Sequence, residues 1–126
     1  MQNILLVALG SALGGVGRFV LTGWISARIA PTFPWGTLTV NIIGSTLIGI
    51  LAGIADGQRV GLTAEARVFL MVGLLGGFTT FSSFSLETLR LLHDGAWARA
   101  GGNVVLSVFA CMVGVALGYR LARALG

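Results

Sequence analysis

Two adjacent glycines, Gly76-Gly77, stand inside an apolar run covering residues 64–92, and Phe78-Thr79-Thr80-Phe81-Ser82-Ser83-Phe84-Ser85 follows at once. The run can cross a bilayer, since about 20 apolar residues span the roughly 30 Å of hydrocarbon. Its centre nevertheless resists a continuous helix, because each glycine weakens one by about 1 kcal/mol relative to alanine. In lipid a broken helix survives only where protein or a polar cavity satisfies the freed backbone groups. Each half would cover about 12 residues, or roughly 18 Å. The junction, expected at Gly76-Gly77, would offer amides and carbonyls to an ion near the midplane. The plainer alternative is a kink whose small residues let helices pack closely.

Three more apolar runs, at about residues 4–29, 37–55 and 101–121, complete the pattern. They predict an all-α integral membrane protein with four transmembrane helices, the third broken at its centre, in one domain over residues 1–126. The chain is 56% hydrophobic and 10% charged, against about 25% charged in soluble domains, so the lipid bilayer is its surroundings. The net charge of +4 comes from arginine without lysine. The arginines stand singly, with no basic run, which argues against a nucleic-acid partner. One cysteine and one histidine allow neither an intrachain disulfide nor a Cys/His metal cluster. Met1-Gln2-Asn3 has no basic residue, so the first apolar run is expected to remain as a span rather than leave as a signal peptide.

Each span carries two glycines four apart: Gly10/Gly14, Gly49/Gly53, Gly73/Gly77 and Gly114/Gly118. In lipid the hydrophobic effect does not drive helices together, so close backbone approach matters more, and a tight bundle follows. Four helices have little interior in which to hide a polar path, which points to an oligomer. Loop arginines divide almost evenly: Arg59, Arg67, Arg120 and Arg123 on the side of the termini, Arg28, Arg90 and Arg99 on the other. Since such arginines set orientation, this balance predicts insertion both ways up. Two opposed copies would then pair as an antiparallel homodimer, the two-chain equivalent of an inverted repeat.

Beyond the break, Phe81, Thr88, Phe84, Thr80, Glu87 and Ser83 fall on a continuous helical arc of roughly 160° at 100° per residue. Singly, such hydroxyls bond their own i−4 carbonyls and such rings pack. Together they suggest one wall of a narrow polar path. Asn103, Ser107 and Cys111 form a stripe at four-residue spacing on the fourth span, and Thr39 and Asn41 stand on the second. A buried asparagine needs partners; its plain role is to join helices. Arg18 lies deep in the first run, where an arginine either snorkels to the interface or faces a wet interior.

Hydroxyls, an amide and the positive edges of phenyl rings suit an anion. Only Glu87 among four acidic residues falls plausibly within the bilayer, so no carboxylate relay for cations or protons is present. No nucleotide loop or nucleophile–base pair appears, so the chain is not expected to be an enzyme.

With these residues assembled, the chain resembles the Fluc (CrcB) fluoride channels over nearly its whole length. The resemblance is carried by Gly14-Gly15-Val16-Gly17-Arg18, by Gly36-Thr37-Leu38-Thr39-Val40-Asn41-Ile42-Ile43-Gly44 and, most specifically, by Gly76-Gly77-Phe78-Thr79-Thr80-Phe81-Ser82-Ser83-Phe84-Ser85. It implies a dual-topology homodimer with two fluoride pores in the bacterial inner membrane, exporting fluoride passively. Phe81 and Phe84 match the family's pair of pore phenylalanines and Asn41 its pore asparagine. Ser107 matches the polar track of the fourth helix, with Thr39, Thr80, Ser83 and Glu87 nearby; Arg18 and Asn103 fall to vestibule or structural roles. The family's track can begin with a tyrosine where Asn103 stands. Gly76 and Thr79 match positions whose carbonyls hold a structural sodium ion. Two other readings are a small multidrug-type proton antiporter, which would want an acidic residue in the first helix, and a non-transporting membrane assembly subunit.

Overall fold

The computed structural model describes all 126 residues and is helical without strands. Helix α1 covers Gln2–Ser26 and α2 covers Trp35–Ala55. The third span, Ala64–His93, is composite. It opens with α3 (Ala64–Arg67), capped by the Thr63 hydroxyl, which accepts from the Ala66 amide at 3.1 Å. A π-helical stretch, Val68–Leu75, and a last α turn, α4 (Gly76–Phe78), lead to the break. The second half is α5 (Phe81–His93), and α6 runs over Trp97–Leu125. Four spans are long and apolar enough to cross a membrane. The chain is a multi-pass membrane protein.

The paired glycines sort the bundle into two couples. On α1, a side chain at Gly10 would meet the Phe69 carbonyl at 2.6 Å and the Gly73 Cα at 2.9 Å, and one at Gly14 would strike the Leu74 carbonyl. From the other side, Gly77 lies against the Ser11 backbone, 2.8 Å to its Cα. Across the bundle, Gly49 and Gly53 of α2 abut the Val115 and Tyr119 carbonyls, while Gly114 and Gly118 of α6 abut Thr46 and Ile50. Backbone therefore meets backbone where a methyl group would hold the helices apart. Second-half helix α5 has no buried residue in the single chain and packs mainly along α6.

The break lies three residues beyond the expected place. Gly76 is helical (φ −62°, ψ −38°), whereas Thr79 (ψ 159°) and Thr80 (φ −152°, ψ 123°) are extended. Gly77 is held helical by its seat on Ser11. The two threonines are β-branched and favour extended backbone. Thr80 also caps α5, its hydroxyl accepting from the Ser83 amide at 3.2 Å, which is the role threonine takes at a helix start. The π-helical stretch before the break has no counterpart in the sequence pattern. Such wide turns are rare and appear mostly as single-turn bulges inside α-helices.

Candidate functional site: a clamped helix break between two cavities

Asn41 of α2 faces the break and takes the place of the missing helical partners. Its Nδ2 donates to the Thr80 carbonyl at 3.0 Å and its Oδ1 accepts from the Thr80 amide at 2.8 Å. Both main-chain polar groups of one extended residue are thus satisfied by one side chain. Arg18 of α1 does not snorkel: its Nε donates to the Gly77 carbonyl at 3.2 Å. That contact brings a cation to the C-terminal end of the first half-helix, the negative end of its dipole. No arginine lies within the third span near its centre, yet one reaches it from α1.

Two other carbonyls lose their helical donors at the break. The amide four residues after Gly76 is that of Thr80, engaged by Asn41. The amide four residues after Thr79 is that of Ser83, engaged by the Thr80 hydroxyl. The break therefore frees the Gly76 and Thr79 carbonyls for another partner. The Thr79 hydroxyl turns back to the Leu75 carbonyl at 2.9 Å, and its methyl lies against Gly44, where any side chain would collide with it.

Two cavities meet at Thr80. One is a groove of about 400 Å³ open along the outside of the chain, lined by Asn41, Gly76, Thr79, Phe81, Phe84, Ser107 and Cys111 among others. Phe81 is 78% exposed, and its ring lies 5.3 Å from that of Phe84 at an interplanar angle of 48°. The second is a vestibule of about 680 Å³, lined by Arg18, Thr22, Ser26, Thr37, Ser83 and Glu87, with Phe19 its one large apolar side chain. In it the Thr37 hydroxyl donates to Glu87 Oε1 at 2.8 Å, while the buried Oε2 has no partner.

The residues singled out from sequence therefore divide. Asn41, Gly76, Thr79, Phe81, Phe84 and Ser107 share the groove, Arg18, Ser83 and Glu87 share the vestibule, and Thr80 lines both. Thr39 stands apart. Its hydroxyl returns to the Trp35 carbonyl at 2.7 Å, and it lines neither cavity. Asn103 is 1% exposed and bridges α6 to α5: Nδ2 donates to the Thr88 hydroxyl at 2.9 Å and Oδ1 accepts from Ser107 at 3.3 Å. Thr37 was not singled out. Its signal was spacing: Thr37 and Asn41 are four apart and share a helix face, whereas Thr39 points some 200° away from Thr37.

Fold and site define a membrane protein whose third span is interrupted and clamped between two cavities. The chain belongs to the CrcB-like protein, Camphor Resistance (CrcB) family, whose model matches residues 5–119. It is 56% identical over 120 residues to a protein of Opitutus terrae named fluoride-specific ion channel FluC, covering 94% of this chain and 91% of that one. Proteins of the same name from Methylocella silvestris (48% over 126 residues, 98% and 95% covered) and Paramagnetospirillum magneticum (53% over 121 residues, 94% of each) are also similar.

Proposed function

We propose that this chain forms a passive fluoride-selective channel in the inner membrane of a bacterium, an antiparallel homodimer with two pores that lets fluoride leave the cytoplasm. The observation that carries the reading is that Phe81, Phe84, Asn41 and Ser107 line one space, in an otherwise largely apolar groove. The names of the relatives point to the same ion.

Taking an ion the size of a carboxylate into a medium of low dielectric costs on the order of 20 kcal/mol, and a smaller anion costs more. Groups that replace its water must be donors. The second Nδ2 hydrogen of Asn41 is not used in the clamp. The hydrogens on the rims of Phe81 and Phe84 form the positive edge of each ring. The guanidinium of Arg18 raises anion concentration in the vestibule, and Thr80 and Ser83 supply hydroxyls between the two spaces. Glu87, turned by Thr37, occupies the same vestibule. Undissociated hydrogen fluoride that enters and dissociates leaves fluoride inside, and an inside-negative potential of about 100 mV favours exit by about 2.3 kcal/mol per charge.

The groove is open on the outside of a single chain, with Phe81 exposed and Gly76 bare. A second, oppositely directed copy would close it and give two equivalent paths. The same twofold axis would bring Gly76 and Thr79 carbonyls of both chains together, four neutral oxygens suited to sodium. A divalent ion would call for carboxylates, and no group of three His, Cys, Asp or Glu is present to hold one. A sodium ion there supplies fixed positive charge near the midplane.

Purified protein in liposomes loaded with fluoride or chloride tests the reading. Rapid fluoride efflux without matching chloride efflux is expected. Flux that needs a proton gradient would favour the antiporter, and no flux would favour an assembly subunit.

A further inference from the structure

The last turns of α2 and α6 leave an apolar groove of about 270 Å³ at the end of the bundle remote from both cavities above. Ile50, Ile54, Val60, Leu121 and Leu125 wall it, and Gly53 and Gly57 contribute no side chains. Its walls are open: Val60, Leu121 and Leu125 are 64%, 56% and 76% exposed. The mouth is basic. Arg123 Nη1 lies 3.9 Å from where a side chain on Gly57 would begin, and the exposed Arg59 adjoins Val60. Neither arginine forms an ion pair. Arg123 donates to the main-chain carbonyl of Asp56, whose carboxylate accepts from the Tyr119 hydroxyl at 3.0 Å, so two arginines stand here against one carboxylate. Arg59 has no hydrogen-bond or ion-pair partner.

We propose that this groove binds an anionic phospholipid, one acyl chain lying along the outer seam of α2 and α6 and the phosphate resting against Arg59 and Arg123. Both helices cross the membrane, so their ends reach the boundary between hydrocarbon and headgroups. An apolar slot joined there to two unpaired cations matches a chain joined to a phosphate. A zwitterionic lipid would fill the slot but carries its own cation beside the phosphate. A soluble phosphate would meet the arginines and leave the slot empty. The site is separate from the groove and vestibule, and the inference does not rest on the fluoride reading.

The test is thermal unfolding of the purified protein in neutral detergent, titrated with phosphatidylglycerol, phosphatidylcholine of the same acyl chains, or glycerol phosphate. Phosphatidylglycerol is expected to raise the midpoint at lower concentration than phosphatidylcholine, and glycerol phosphate to leave it unchanged. R59Q with R123Q should raise the half-saturating phosphatidylglycerol concentration roughly thirtyfold, and R59Q alone about fivefold. Leu121→Trp, which fills the slot, should remove the preference without changing the elution volume on gel filtration. Because the Arg59 side chain has no partner, R59Q keeps the test decisive if the double variant does not fold. Equal response to the two lipids overturns the proposal, as does a full effect of glycerol phosphate alone. An equal loss on R28Q with R99Q, at the opposite end, would reduce the effect to general surface charge. A change of oligomeric state in Leu121→Trp would give the groove to a second copy of the chain.

Discussion

Asn41 and Thr80 are joined by two hydrogen bonds, side-chain amide to main-chain carbonyl at 3.0 Å and main-chain amide to side-chain oxygen at 2.8 Å. This reciprocal pair replaces the helical bonds that the third span gives up and ties α2 to the start of α5. Asn41→Leu removes both bonds at once. A fully buried main-chain group left unpaired costs about 1–3 kcal/mol; Thr80 is half-buried, so a smaller but clear drop in the thermal unfolding midpoint is expected. Asn41→Asp keeps the acceptor but sets a carboxylate against the Thr80 carbonyl. It should unfold earlier than the parent and carry less fluoride. A midpoint unchanged in both variants would mean that the clamp contributes nothing to the fold.

The rings of Phe81 and Phe84 are expected to act through their edges. Phe→Ile at either position keeps an apolar side chain and removes the edge. A roughly tenfold fall in flux is expected, equivalent to about 1.4 kcal/mol on the barrier. Fluoride efflux from liposomes measures it, with gel filtration to check that assembly is intact. Normal flux in both variants would return the rings to packing.

Much of this site was legible because its parts are local. The alternation of rings and hydroxyls after Gly77, and the apolar lengths of the four spans, needed only helical periodicity. So did the glycine pairs, which proved to be the contact points of α1 with the third span and of α2 with α6. What could not be read depends on partners far apart in the chain. Gly76-Gly77 look like the break because glycine is the weakest helix former present, but Ser11 holds Gly77 in a helical seat and Asn41 pulls Thr80 out of one. Arg18 reaches Gly77 across 59 residues, and nothing in its neighbours distinguishes that from snorkelling. Spacing places Thr37 on the face of Asn41, but its bond to Glu87, 50 residues away, could not be read from the sequence.

The even division of loop arginines bears on orientation. Two added lysines in the 27–34 loop, or two in the 56–63 loop, should each bias insertion toward one orientation. Either variant alone is expected to lose most fluoride export, and coexpression of the two should restore it. Orientation can be scored by labelling single cysteines from outside, in a background where Cys111 is replaced. A uniformly oriented population that exports normally would exclude antiparallel pairing.

Gly76 and Gly77 separate the fold of one chain from the assembly of two. A methyl group at Gly77 would lie 2.5 Å from the Ser11 carbonyl oxygen, whereas one at Gly76 would find nothing nearer than the Met71 carbonyl at 3.9 Å. Gly77→Ala must therefore push α1 away from the third span, and overpacking of this kind typically costs about 1–3 kcal/mol. Gly76→Ala should leave the single chain undisturbed. Any damage it does then comes from outside the single chain, which in the proposed dimer is the second copy and the proposed sodium site. The expected result is a normal fold for Gly76→Ala by circular dichroism, with weakened dimerisation and reduced flux. Thr79→Ser should be mild, because serine keeps the hydroxyl bond to Leu75 and the main-chain carbonyl, losing only the methyl contact with Gly44, worth about 0.8 kcal/mol. Exchange of all sodium for a large organic cation is expected to weaken the parent dimer over hours and to make little difference to Gly76→Ala, whose site is already impaired. If the parent keeps full activity and dimer stability without sodium, the freed carbonyls of Gly76 and Thr79 serve something other than a cation.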